Sequence, residues 1–263
     1  MTDPSTRKSN PRSIATFIND YASGLKGQKT IKSIAEGLKT YLTDIYRPEE
    51  QLKKIEKEIE ERIKRMKGEI ESSERGEDKE KIVVSFKDSD GKLQKAIGAV
   101  TPISLIVAGY DRGKDGEKKM SVYVIYIPGK LVNKRKHDNV NQYGADWTGQ
   151  KDVVARVILG RDPRTPALGF AQEAINRLGE KKVLDELRRL EYRINWGGMT
   201  LFDAVDFATL MIEITAAIQR FSDGIQLTPG DLPGVGGGAD VAIVTPDSGF
   251  HWHKRKELKL EKP

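Results

Sequence analysis

Cysteine is absent from the 263 residues, which excludes disulfides, thiolate metal sites and cysteine nucleophiles. Histidine is scarce, with His137, His251 and His253 as the full set. No apolar run approaches the roughly 18 residues that a membrane-spanning helix needs. The opening Met1-Thr-Asp-Pro-Ser-Thr-Arg-Lys lacks the apolar core of a secretory signal. No membrane association is expected, and a cytoplasmic location is. What the chain has in quantity is charge: 32% of residues are Asp, Glu, Lys or Arg, and the mean hydropathy is -0.54. The length still allows a substantial core, in one large domain or two small ones.

The net charge is +6, so an acidic partner is worth considering. The most charged stretch, Arg47 to Lys81, is nearly neutral. The excess sits in small clusters: Arg7, Lys8 and Arg12; Lys130, Lys134, Arg135 and Lys136; Lys254, Arg255 and Lys256. Aromatic residues are 7% of the chain and do not interleave with these clusters as a single-strand stacking platform requires. Nucleic acid is therefore not an expected partner.

Residues 1–11 are polar and read as a flexible leader. A short helix follows over Arg12–Tyr21. Thr30 opens a clearer one, with Ile31, Ile34, Ala35, Leu38, Tyr41, Leu42 and Ile45 at helical spacing. From Glu49 to about Glu71 the pattern predicts a highly charged helix with Leu52, Ile55, Ile59, Ile63, Met66 and Ile70 along one narrow stripe. The preferred expectation is a helix lying on its own domain; a projecting arm that pairs with a partner helix is the alternative. Ser72–Lys81 reads as a charged loop. The period then changes to that of strands: Ile82–Phe86, a turn at Ser89-Asp-Gly91, and a hairpin of Ile103–Ala108 with Val122–Ile127. A short helix is predicted within Trp147–Gly160, and Pro166–Leu190 is helical and amphipathic. Thr200 starts the strongest helix, to about Phe221, with Thr200-x-x-Asp203 as a capping box. Its apolar residues occupy more than one face, as in a helix packed between other elements. A final hairpin runs from Ala239–Thr245 to Phe250–Trp252, and a basic tail, 253–263, follows.

Few residues suggest chemistry by themselves. Gly234-Val-Gly-Gly-Gly238 precedes a strand, so it lacks the helix N-terminus that a phosphate cradle needs. His251-x-His253 places two imidazoles on one strand face, but no third ligand is marked, and neither a metal nor a cofactor is expected. Asp203 and Asp206 could pair on a helix, although Asp203 is accounted for by the cap. Thr2 would gain a free amine if Met1 were removed, and an N-terminal threonine can use its own amine as base. The polar segment after it is a poor platform for such a nucleophile.

Several segments, in order, resemble the later part of a proteasome-type β subunit, an N-terminal-nucleophile hydrolase. Ile103-Ser-Leu-Ile-Val-Ala-Gly-Tyr-Asp111 followed by Val122-Tyr-Val-Ile-Tyr-Ile-Pro-Gly129 is similar to that family's central hairpin. Trp147-Thr-Gly-Gln-Lys-Asp-Val-Val-Ala-Arg156, Met199-Thr-Leu-Phe-Asp-Ala-Val-Asp-Phe-Ala208, Arg220-Phe-Ser222 and the strand within Gly237–Thr245 complete the order. Phrases such as Pro11-Arg-Ser-Ile14, Asp203-Ala-Val-Asp-Phe207 and Gln219-Arg-Phe221 are similar to an uncharacterised bacterial branch. The resemblance covers most of Pro11–Trp252.

The resemblance implies an α+β fold, a four-layer αββα sandwich with antiparallel sheets, as one domain over residues 12–252 with a charged helical extension at about 48–80. It implies amide or peptide hydrolysis by an N-terminal threonine. The family's two opening hairpins, which carry the nucleophile, a supporting Asp and a Lys, have no counterpart before Pro11. Phe221 stands where the family has an orienting Asp. Thr148 and Gly149 correspond to a loop near the nucleophile, and Arg220 and Ser222 to residues near it on the other side. The expectation is a hydrolase homologue inactive as the chain stands. The alternative is a noncatalytic assembly or binding subunit, in a homo-oligomer or with a partner chain supplying the missing strands.

Overall fold

Ser13 and Thr30, each with an extended backbone, begin helices, their side-chain oxygens accepting from Thr16 N at 3.3 Å and Ser33 N at 3.1 Å. The computed structural model describes residues 13–27, 29–76, 79–113, 115–134, 143–222, 224–225, 228–229 and 234–255. The chain divides into two compact units, residues 1–138 and 139–263. It is an α+β protein, and every strand pairing among the described residues is antiparallel.

In unit 1, α1 (Ile14–Gly24) and α2 (Ile31–Tyr46) lead directly into α3 (Pro48–Arg65) through Arg47. Glu49 and Glu50 occupy the first turn of α3 and Arg62, Lys64 and Arg65 its last, the arrangement that offsets the helix dipole. The helix is shorter than the sequence pattern predicts. Lys67, in the left-handed region at φ 59°, closes it, with Lys67 N bonded to Lys64 O and Gly68 N to Ile63 O, a Schellman ending. The proposed helical extension over 48–80 is thus corrected. Past Arg65 the chain turns into a strand, β1 (Glu69–Arg75), and part of the expected loop at Ser72–Lys81 is ladder. β1 pairs with β2 (Lys81–Lys87), which pairs with β3 (Leu93–Ala99), a meander.

The apolar stripe of α3 lies on this meander, as the preferred reading expected. Leu52 and Ile63 pack with Ile82, Val84, Phe86 and Val100, and Ile55, Ile59 and Ile70 flank them. Closeness is set at Gly98, where an added Cβ would lie 2.2 Å from Ile55 Cγ2 and 2.9 Å from Ile59 Cδ1. A second core joins Ala35, Leu38 and Leu42 of α2 to Tyr123, Ile125 and Ile127. These last three belong to β5 (Lys118–Ile127), the centre of a sheet with β4 (Ile103–Arg112) and β6 (Leu131–Asn133).

Unit 2 begins its regular structure with α4 (Asp152–Leu159), ended by Gly160 in the left-handed region. The stretch read as one amphipathic run is α5 (Gly169–Leu178) and α6 (Glu180–Arg188), separated at Gly179. α7 (Leu201–Arg220) starts at the expected capping box: Asp203 N donates to Thr200 Oγ1 at 3.2 Å and Thr200 N to Asp203 Oδ2 at 2.9 Å. Its Phe207, Met211 and Ile214 pack with Val154 and Ile158 of α4 and with Trp147, and Trp196 meets Phe207 edge-on at 5.3 Å. Phe202, Leu210, Ile212 and Ile218 of α7 are exposed. The two-residue strands β7 (Gly224–Ile225) and β8 (Thr228–Pro229) precede the final hairpin, β9 (Val241–Thr245) with β10 (Gly249–Lys254).

Candidate functional site

The motif Ala108-Gly-Tyr-Asp111 closes β4, and two of its residues anchor α2. Asp111 accepts from Ile31 N at 2.7 Å through Oδ1 and from the Ser121 hydroxyl at 2.6 Å through Oδ2. Gly109 leaves room for the Ile31 side chain, whose Cδ1 would lie 2.6 Å from an added Cβ. The acid is thereby used to satisfy a helix N-terminus. Ser121 and Thr215 are the buried serine and threonine among the described residues. Thr215 donates to Met211 O at 2.7 Å, one turn back along α7. Both hydroxyls serve the fold.

Of the residues singled out in the sequence, Thr2 and His137 lie outside the described residues. Thr148 is half-buried in the segment before α4, and Gly149 follows at φ +79°, where a side chain would be strained. Arg220 is the last residue of α7, and its guanidinium lies over the ring of Phe221, 4.6 Å from the centroid. Ser222 follows, half-buried. Neighbours of these residues converge on Gly234. Gln219 Oε1 accepts from Gly234 N at 3.0 Å and from Val235 N at 2.8 Å. Gln150 reaches the same glycine, its Nε2 lying 3.5 Å from where a Cβ would stand. The turn after Trp147, the end of α7 and the glycine-rich segment therefore meet in unit 2. The Gln219 contact was missing from the sequence reading, because a carboxamide reaching a loop fifteen residues onward leaves no spacing signal.

His251 and His253 are exposed on β10, and no group of three His, Cys, Asp or Glu suited to a metal occurs among the described residues. Asp203 is held below the usual carboxylate range by the Thr200 hydroxyl, then by the Thr200 N–H. A cleft of about 950 Å³ in unit 1 is lined by Lys39, Lys53, Lys79, Lys130, Glu49 and Glu50, among others. Lys79 pairs with Glu49 at 2.9 Å and Arg47 with Glu50 at 3.6 Å, so its walls are mixed in charge.

The tightest polar cluster is a loop after α4. Asp162 accepts from Arg164 through N, Nε and Nη2 at 2.9, 2.8 and 2.7 Å, and from Arg156 through Nε and Nη2 at 3.0 and 2.8 Å. The Arg164 side chain is the main cause that holds the Asp162 carboxyl far below its ordinary range; partial burial opposes it, and the Arg164 N–H and Arg156 add to it. A depressed native pKa stabilises the fold above the unfolded value, about 3.9 for Asp. That stabilisation is lost as the pH falls through the range below it. Thermal midpoints followed from about pH 6 to pH 2 should therefore drop in acid, and Asp162→Asn should flatten part of the drop.

Compared with known proteins, the chain matches no family model, no curated protein and no solved structure. No helix among the described residues is long and apolar enough to cross a membrane.

Proposed function

We propose that this chain is a proteasome-like N-terminal-nucleophile hydrolase homologue that contributes the central hairpin and flanking helices of a four-layer sandwich. The nucleophile, an N-terminal threonine or its equivalent, comes on a strand from another segment. Catalysis then follows the general scheme of such nucleophiles: the hydroxyl attacks an amide carbonyl, the α-amine carries the proton, and backbone amides hold the oxyanion. One observation carries the reading. β4 is a ten-residue strand in continuous register with β5, it stands outermost in its three-stranded sheet among the described residues, and it ends in the motif that resembles the family's hairpin. A long apolar edge without proline or lysine is a site for a further strand. The convergence of Gln150 and Gln219 on Gly234 supports it, since it gathers the segments that the resemblance sets near a nucleophile.

A noncatalytic assembly subunit is the second reading. It is favoured by the commitment of the buried hydroxyls Ser121 and Thr215 to structural hydrogen bonds. Producing the chain together with its upstream coding region and assaying fluorogenic peptide amides separates the two. Hydrolysis that appears only with the added region supports the first reading, and a stable complex without hydrolysis overturns it in favour of the second.

A further inference from the structure

β1 carries one apolar residue, Ile70, and stands outermost in the meander order β1-β2-β3. Its register sets Ile70, Ser73 and Arg75 opposite Phe86, Val84 and Ile82, the β2 residues buried against α3. Cross-strand partners share a face. Two of the three positions that β1 offers to α3 are therefore polar, and a register shift between Ile70 and Ser72 separates them from the apolar one.

Glu56 of α3 holds both polar residues. Ser73 donates to its Oε1 at 2.6 Å and Arg75 Nη2 to its Oε2 at 3.4 Å. One end of β1 is tied further by Lys79, which pairs with Glu49 at 2.9 Å just before β2. At the other end Glu71 pairs with Lys87 at 2.5 Å. Charge thus does for β1 what apolar packing does for β3, where Gly98 lets Ile55 and Ile59 close in. The Arg75 and Glu56 side chains keep 36% and 23% exposure, so salt reaches the pair. Ties of this kind are weak beside buried apolar contacts, and a strand held by them opens at lower cost than the core beneath it.

We infer that β1 is a releasable strap: it leaves β2 as a unit while α3, β2 and β3 stay packed, and Glu56 sets how often it does so. The open state gives the meander a free edge along Ile82-Val-Val-Ser-Phe86, which the closed strap covers. The device is independent of the hydrolase reading, because every residue involved lies in the α3–meander part.

The ladder supplies the test. Gly76 N donates to Lys81 O and Val100 N to Glu80 O, and β2 runs against β3 without a shift. Bonded and non-bonded pairs alternate in an antiparallel ladder. The amides of Val83 and Ser85 therefore face β1, and those of Ile82 and Val84 face β3. In hydrogen exchange of the full chain, Ser72, Glu74, Val83 and Ser85 should open as one group, with protection at least about tenfold below that of Ile82 and Val84. Sodium chloride at about 0.5 M should speed the first group and leave the second unchanged. Glu56→Ala should speed the first group about tenfold, the worth of a charge-assisted hydrogen bond, and reduce the salt response with little change in the unfolding midpoint. Glu58→Ala, at an exposed position of the same helix, should leave both groups as in wild type. Val83 exchanging at the rate of Val84 would overturn the inference, since β1 would then open only with the whole meander. Wild-type exchange of the first group in the Glu56→Ala protein would overturn it as well.

Discussion

Replacing Gly98 with valine should cost unit 1 about 3 kcal/mol, the upper part of the usual range for overpacking a tight contact. The geometry leaves little means of relief. The nearest atom to an added Cβ is Ile55 Cγ2 at 2.2 Å, which is fixed to a β-branched carbon on a helix and has one preferred rotamer there. Ile59 Cδ1 and Ile82 Cγ2 stand at 2.9 and 3.4 Å, so moving Ile55 compresses its neighbours. The whole of α3 must lift from β3, which exposes the stripe that fills this core. With a urea m-value of ordinary size, the midpoint should fall by about 1 M or more. Gly24→Ala is the matched control, since nothing lies within 4 Å of its added Cβ. A Gly98→Val protein that unfolds with the wild-type midpoint would contradict the close packing of α3 on β3.

Asp111→Ala should be the second most damaging single change, at about 2–3 kcal/mol. Two hydrogen bonds to a carboxylate are lost together, and charged acceptors make the stronger bonds. Ile31 N would become an unsatisfied donor in the first turn of α2, the helix whose Ala35, Leu38 and Leu42 cover β5. Asp111→Asn should cost less, because its carbonyl oxygen can still accept from Ile31. The decisive readout is exchange of the Ile31 amide, which should accelerate in the alanine variant far more than that of Ser33, held by Thr30. Equal protection of Ile31 in wild type and variant would show that Asp111 does not anchor the helix.

The elements that read clearly from the sequence are those whose signals are local. Thr200 and Asp203 mark the start of α7 within four residues, and the apolar strands before Pro128-Gly129 define the β4–β5 hairpin. The elements that did not read clearly depend on partners. β1 is Glu-Ile-Glu-Ser-Ser-Glu-Arg, with one β-branched apolar residue, Ile70. It is a strand because β2 pairs with it, not by its own propensity. Ile70 also prolonged the apparent stripe of α3. It packs on the same core from β1, so the spacing was continuous while the helix was not. At the candidate site, Asp111 could be quoted as part of a motif, but its role depended on a contact eighty residues away in sequence.

The proposal of a hydrolase homologue completed by another strand is tested most directly by the N-termini of the native protein. The protein and any chain that co-purifies with it would be isolated from cells carrying the natural locus and its upstream DNA, then measured for intact mass and N-terminal residue. The account predicts a polypeptide that begins with Thr, Ser or Cys on an apolar strand and protects the β4 edge from exchange. A homogeneous product that begins at Met1 or Thr2, with no such chain beside it and β4 unprotected, would contradict the account.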